Sequence, residues 1–514
     1  GSTLQQMGRK WHRRFSVEMP VRECAFWQQT DVIQSLEELL MFLSGDRFTF
    51  EFVPTPHPEA ERSRFFRFGD ETAWSPDRVL MFSGGLDSFA GALAEIAEHG
   101  HRVALISHTS APKMAPIPRN LQKAINEHLG EHSSRHFPVG MHLEGHRKAE
   151  GTHRSRSFLF AALGAVFANA FGQDRVSFHE NGVVSLNLAP VENVKGTRAT
   201  RTTHPKTLQL MTRVLTMVFE GGMRVDNPFF WRTKTEVLET IWRLGMAGQI
   251  RHTRSCADVH NQTRQHVHCG RCSQCIDRRF AALAAGLDAE DPAEAYKNDL
   301  MTGSRNRAED REIALSYVRN AELYEQLTPE ILEQRFPDVL SAVSSLEEPA
   351  PAALTMITEL LKRHGNSVTG AMRESMNRGA SENYPIDSLP RMYGEEKRQQ
   401  MFASPAPVKT IPDDPKPESL TIVIDEERQM AVISDVVHVN RSATFELLLV
   451  LAKETLKAAG EGRVLFEYPA IRANVLARRL NLESDASVRQ RVNRSNGVLK
   501  AKFTSARLDP EMAK

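Results

Sequence analysis

The chain has 514 residues, which at roughly 150 residues per domain divides into about three or four units. Lys and Arg total 65 against 64 Asp and Glu, so no whole-protein field favours nucleic acid or a membrane, and any such contact must be local. The apolar runs fall short of the ~18 residues a membrane span needs, the start lacks a basic and apolar leader, and five cysteines, four of them crowded together, suit a cytoplasmic metal protein better than a disulfide framework.

Residues 1–77 mix the strand-like FTFEFV with the helix-periodic DVIQSLEELLMFL and read as a small α+β unit. From 78 to 300 strands and helices alternate: RVLMF, FAGALAEIAEHG, HRVALISH, NLQKAINEHLG, SRSFLFAALGAVFANAFG, RVSFHE. Short turns between such segments imply parallel strands with right-handed crossovers, hence an α/β fold with a doubly wound sheet that binds ligands beyond the strands' carboxyl ends. Residues 301–400 read as a charged helical extension and 401–419 as a Pro-rich linker. In 420–514 a hairpin in LTIVIDEERQMAVI precedes three helix signals, an order that resembles the winged-helix effector domains of response-regulator transcription factors. The last of these helices carries Arg489, Arg491 and Arg494 beside Val488, Val492 and Leu499.

Two motifs carry chemistry. The first is SGGLDS, residues Ser83–Ser88, with Val79–Phe82 read as a strand and Phe89 as the start of a helix. Gly84 and Gly85 let backbone amides turn inward, the helix amino end favours an anion, and Ser83 and Ser88 add donors. Neither a Walker A lysine nor GxGxxG is present. Asp87 would repel bare phosphate, so it is better placed on a Mg2+ that bridges phosphates. The second motif is Cys269, Cys272 and Cys275 at C-x2-C-x2-C spacing, with Cys256 upstream. Four close thiolates suit a closed, structural Zn2+ site. An iron–sulfur cluster, which lacks its usual following cysteine here, and free thiols are the other readings, with His260, His266 and His268 as substitute ligands.

The SGGLDS loop after an apolar strand is similar to the pyrophosphate-binding (PP-loop, HUP-like) motif of the ATP pyrophosphatase superfamily. With the four cysteines, residues 79–300 resemble the 7-cyano-7-deazaguanine synthase, or QueC, family. The resemblance implies MgATP on Ser83, Gly84, Gly85, Leu86, Asp87 and Ser88, with Asp87 on the metal and Lys234, in NPFFWRTKTEVLE, as a counter-cation. Arg156 sits in RSRSFLF, where Ser157 replaces the family's Asn. Glu180, Asn181 and His204 fall where the family's Tyr-Pro-Asp-Cys segment would form the pocket wall, a departure that leaves the acceptor open.

The implied reaction is adenylation of a 7-carboxy-7-deazaguanine-like acid, then amide formation with ammonia or a protein amine; a second activation would give the nitrile. The altered wall and added domains look like QueC-like proteins of bacterial antiphage operons, which implies ATP, the deazaguanine acid and a protein from the same operon as partners. Nucleic acid is expected only at the carboxyl-terminal unit, and no membrane. A tRNA-modifying member of the superfamily is a rival, although Cys24 is the one cysteine outside the cluster. A winged-helix nucleic-acid binder with a regulatory ATP site is another.

Overall fold

The computed structural model describes residues 13–56, 74–108, 114–141, 154–188, 201–257, 263, 265–381 and 384–402, then 422–425, 430–433, 437–439, 443–460 and positions 480, 487, 492 and 495. The chain forms two compact units, Gly1–Phe402 and Ala403–Lys514.

In the first unit β1 (Arg14–Val21) and β2 (Arg47–Pro54) run parallel, joined by helix α1 (Thr30–Ser44). The helix has two apolar stripes. Leu36 and Leu40 meet Phe52 of β2, while Leu39 and Leu43 join the core below the main sheet.

That sheet contains β3 (Arg78–Met81), β4 (Val103–His108), β5 (Ser134–Val139), β6 (Arg175–Ser177) and β7 (Arg224–Asp226), all parallel in the order β5-β4-β3-β6-β7. Alternate side chains serve opposite faces, as strand periodicity requires. Leu80 and Leu105 pack with α2 (Leu86–Ala97), α3 (Pro116–Leu129), α7 (Lys234–Arg243) and α8 (Ser273–Ala284); Val79, Met81, Ala104 and Ile106 pack with α4 (Arg156–Ala170) and α6 (Pro205–Val218). A short helix, α5 (Gly182–Leu186), follows β6. The chain runs outward from β3 to β5 and then returns to the other side of β3. The carboxyl ends of β3 and β6 therefore flank the switch point, where such sheets open a ligand crevice.

One boundary differs from the sequence reading. Helix α2 begins at Leu86, three residues before Phe89, because Gly85 is already its extended cap (φ −83°, ψ 167°). Asp87 and Ser88 thus belong to the first helical turn, where an acidic residue suits the dipole.

Helices α9 (Ala308–Glu325), α10 (Pro329–Arg335), α11 (Val339–Val343), α12 (Ala350–Ser381) and α13 (Leu389–Phe402) complete this unit. Val318 of α9 and Val368 and Met372 of α12 pack with Ile276 and Phe280 of α8. Leu360 and Leu361 pack with Leu186 of α5 and with Phe230. The extension therefore covers the very elements that follow the switch point.

The second unit shows an antiparallel sheet of β8 (Ile422–Asp425), β9 (Met430–Ile433) and β10 (Val437–Val439), then α14 (Ala443–Gly460). The expected hairpin is present and gains a third strand. Residues 403–419 of the expected linker, and Arg489, Arg491 and Arg494, lie outside the described residues. Among the described residues no helix is long and apolar enough to cross a membrane.

Candidate active site and metal centre

The loop from β3 to α2 is the centre of the crevice. Gly84 has φ +76°, a left-handed conformation that glycine adopts without strain, and a Cβ there would lie 2.9 Å from Ile117 Cγ2. The Gly85 amide donates to Ser83 Oγ at 3.3 Å, and Ser88 Oγ donates to the Gly85 carbonyl at 3.2 Å. Ser83 is exposed, Ser88 is buried, and the Leu86 side chain is wholly in the core.

Asp87, one residue further along, has both oxygens engaged. Oδ2 accepts from Lys234 Nζ, and Oδ1 faces the Asn181 amide at 3.3 Å and its Nδ2 at 3.4 Å. Lys234 is the first residue of α7, after the Thr233 cap whose capping box with Glu236 closes at 3.3 and 2.7 Å. A cation at a helix amino end opposes the dipole. Burial also disfavours it, yet Asp87, Asp277 and Glu180 together hold the Lys234 pKa above its ordinary value.

Glu180 and Asn181 follow β6. Asn227, after β7, grips this turn: its Oδ1 accepts from the Glu180 amide at 3.0 Å and its Nδ2 donates to the Glu180 carbonyl at 2.8 Å. Thr203 Oγ1 donates to Glu180 Oε2 at 2.6 Å. Burial raises the Glu180 pKa to about 7; Asp87 and Asp277 push the same way, and Thr203 and Lys234 oppose. Asn181 is the cap of α5, its Oδ1 accepting from the Val184 amide at 3.1 Å.

Asp277 on α8 adds its negative charge to those acting on the same lysine. Its Oδ1 accepts from Tyr317 OH of α9 at 2.6 Å, while its buried Oδ2 has no hydrogen-bond partner. Lys234, Asp87, Glu180 and Asp277 therefore form one group, with Asn181, Asn227, Thr203 and Tyr317 as its hydrogen-bonding frame.

Arg156 and His204 are placed differently. Arg156 opens α4 with its guanidinium 5.0 Å from the Phe160 ring centre. His204 is the cap of α6: Nδ1 accepts from the Lys206 amide at 3.2 Å, Nε2 lies 3.5 Å from Ser341 Oγ, and burial pushes its pKa down to about 3. Among the described residues no hydrogen bond or ion pair joins either to the Asp87–Lys234 group. The segment's link to that group is Thr203.

The four cysteines converge, with all sulfurs within 4.8 Å of one another and Cys269 3.9 Å from Cys275. A tetrahedral ion at ~2.3 Å from each sulfur needs S···S separations of about 3.8 Å, so the donor set fits Zn2+. The amides of Arg271 and Cys272 both donate to Cys269 Sγ at 3.4 Å. Hydrogen bonds among the four thiols push the Cys269 thiol below its ordinary pKa and those of Cys272 and Cys275 above theirs, as expected of sulfurs that share protons at close range.

The cysteine cluster is tied to the Ser83–Ser88 loop. Arg278 of α8, fully buried, donates to Thr253 Oγ1 at 2.8 Å, Ser255 Oγ at 3.3 Å, the Ile250 carbonyl at 2.8 Å and Asp291 at 2.7 Å. The Arg254 amide, between Thr253 and Ser255, donates to the Gly84 carbonyl at 3.0 Å. Fixing Cys256 in a metal thus fixes the strand of chain that latches the loop.

The family model described as queuosine biosynthesis protein QueC matches residues 197–286, a span that contains Lys234 and all four clustered cysteines. A 7-cyano-7-deazaguanine synthase from Methanothermobacter thermautotrophicus is 23% identical over 239 residues, 42% of this chain and 97% of its own length.

Proposed function

We propose that this chain, a QueC-like member of the PP-loop family, is an ATP-dependent ligase that adenylates a 7-carboxy-7-deazaguanine-like acid and transfers the acyl group to an amine. The observation that carries this reading is the buried Lys234, held at a helix amino end against Asp87 of the Ser83–Ser88 loop at the sheet's switch point. So costly a placement of charge is spent where negative charge develops.

The loop amides and the Ser83 and Ser88 hydroxyls hold the phosphates. The substrate carboxylate oxygen attacks the α phosphorus; a new O–P bond forms, the bond to the β-phosphate oxygen breaks, and pyrophosphate leaves. Lys234 balances the charge on the departing group. Asp87 is the residue that would hold Mg2+, which supplies charge neutralisation along the phosphates. The acyl adenylate then yields an amide and AMP when an amine displaces the phosphate oxygen. The resemblance to antiphage-operon proteins sets the wider context of the reaction, with a protein amine as the alternative acceptor to ammonia.

The test is the product set. With ATP and 7-carboxy-7-deazaguanine the protein should release AMP and pyrophosphate only when the acid is present. ADP and phosphate, or acid-independent turnover, would refute the assignment.

A further inference from the structure

Lys234 is one cation among three carboxylates, those of Asp87, Glu180 and Asp277. Asp87 and Lys234 are paired and serve the phosphates in the reading above, which leaves Glu180 and Asp277 as carboxylates that the ATP step does not use. Asp277 is 4% exposed, one oxygen accepts from Tyr317, and the other is buried with no hydrogen-bond partner. An orphaned buried carboxylate oxygen costs its desolvation, and an N–H donor brought by a ligand would offset that cost.

We propose that Asp277 and Glu180 form the acceptor-amine subsite, holding ammonium or a primary alkylammonium beside Lys234 and Asp87. This rests on the acyl-transfer reading above. Asp277 Oδ2 receives one N–H, Glu180 receives another, and Tyr317 and Thr203 fix the two carboxylates from behind. The Glu180 carboxylate takes one proton from the bound ammonium. The freed nitrogen lone pair attacks the acyl carbon, a C–N bond forms, and the bond from that carbon to the phosphate oxygen breaks to release AMP. A second proton is lost from the new nitrogen to solvent as the amide forms.

An N–H donor fits this subsite better than a second divalent ion. Mg2+ demands about six oxygens in octahedral array, whereas Tyr317 and Thr203 have each claimed one carboxylate oxygen of the pair. The Tyr317 contribution comes from α9, so the helical extension completes the subsite.

The experiment measures the ammonium KM of the full chain at saturating ATP and acid. Asp277→Asn should raise that KM by about tenfold or more, with the rate recovered at high ammonium, as expected for losing one charge-assisted hydrogen bond. Tyr317→Phe keeps the carboxylate and loses its anchor, and should raise KM by about two- to fivefold. An unchanged ammonium KM in the folded variants, or a loss that high ammonium does not recover, overturns the proposal. A second arm needs no acid: crystals of the unaltered protein soaked in thallium(I), an ammonium-sized monovalent scatterer, should show an anomalous peak against Asp277 Oδ2. Its absence, or Mn2+ occupying that position, also overturns it. If the unaltered protein forms no AMP with the acid, the ligase reading fails separately, whatever the thallium map shows.

Discussion

The cysteine centre and the Asp87–Lys234 group both gather negative charge into a poorly hydrated interior, and they settle it in opposite ways. Around the cysteines the charge is answered. Two amides point at Cys269, and behind the centre Arg278 pairs with Asp291 at 2.7 Å while Arg279 pairs with Asp299 at 2.8 Å. In the other group the account is left open: Asp277 keeps an orphaned oxygen, Glu180 is pushed up to about 7, and the one cation stands at the unfavourable end of a helix. Closed charge specifies a structure, and open charge is what a reacting site needs.

Removing a ligand from the closed centre should have the largest effect. The parent is expected to carry about one zinc per chain and Cys272→Ser to lose most of it and, because structural zinc contributes its binding energy to folding, to aggregate or melt far below the parent. Elemental analysis with a thermal melt decides. A metal-free variant that melts normally breaks the structural half of the comparison. Whatever folded fraction survives should bind ATP poorly, since the Arg254–Gly84 latch depends on the Cys256 segment.

At the open group, Asp87→Asn keeps the shape and removes the charge. AMP formation should drop by about two to three orders of magnitude, the range for losing one preorganised electrostatic group. Zinc content should remain at the parent's level, which separates this loss from the first. A smaller effect is expected in the loop: Gly84→Ala forces an L-residue to φ +76° at ~1–2 kcal/mol and brings its Cβ against Ile117, so calorimetry should show ATP affinity weaker by about tenfold.

Much of this site was legible in the sequence because its members are close together: SGGLDS spans six residues and C-x2-C-x2-C seven, with Cys256 a short loop upstream. The parallel sheet was legible from the strand and helix alternation, and Glu180 and Asn181 from their position after a strand. The rest is long-range. Asp277 and Tyr317 are 40 residues apart and Thr203 and Glu180 23 apart, and each is a single polar residue of a kind that usually faces solvent. Asp277 had one local signal, a carboxylate in the first turns of α8 between the apolar Ile276 and Phe280. The early start of α2 was hidden by two glycines that read as loop, although Asp87 and Ser88 are good first-turn residues. His204 was singled out one residue away from Thr203, the side chain that reaches Glu180.

The finest test of the open group is its pH profile. Glu180 must be ionised to take a proton, and its pKa stands at about 7, above the ordinary 4.5, so at saturating ammonium the rate should fall as pH drops through 7 and reach about one-tenth of its plateau one unit below. Saturation matters because it removes the pH dependence of free amine in solution. Two variants should then move this limb in opposite directions by a fraction of a unit to about one unit. Asp277→Asn deletes a negative neighbour that disfavours Glu180 ionisation, and the limb moves to lower pH. Thr203→Val deletes the 2.6 Å hydrogen bond that favours the carboxylate, and the limb moves to higher pH. Shifts of the same sign, or a limb that persists unmoved in Glu180→Gln, would assign the titration to another group and leave Glu180 with the amine contact but without the proton transfer.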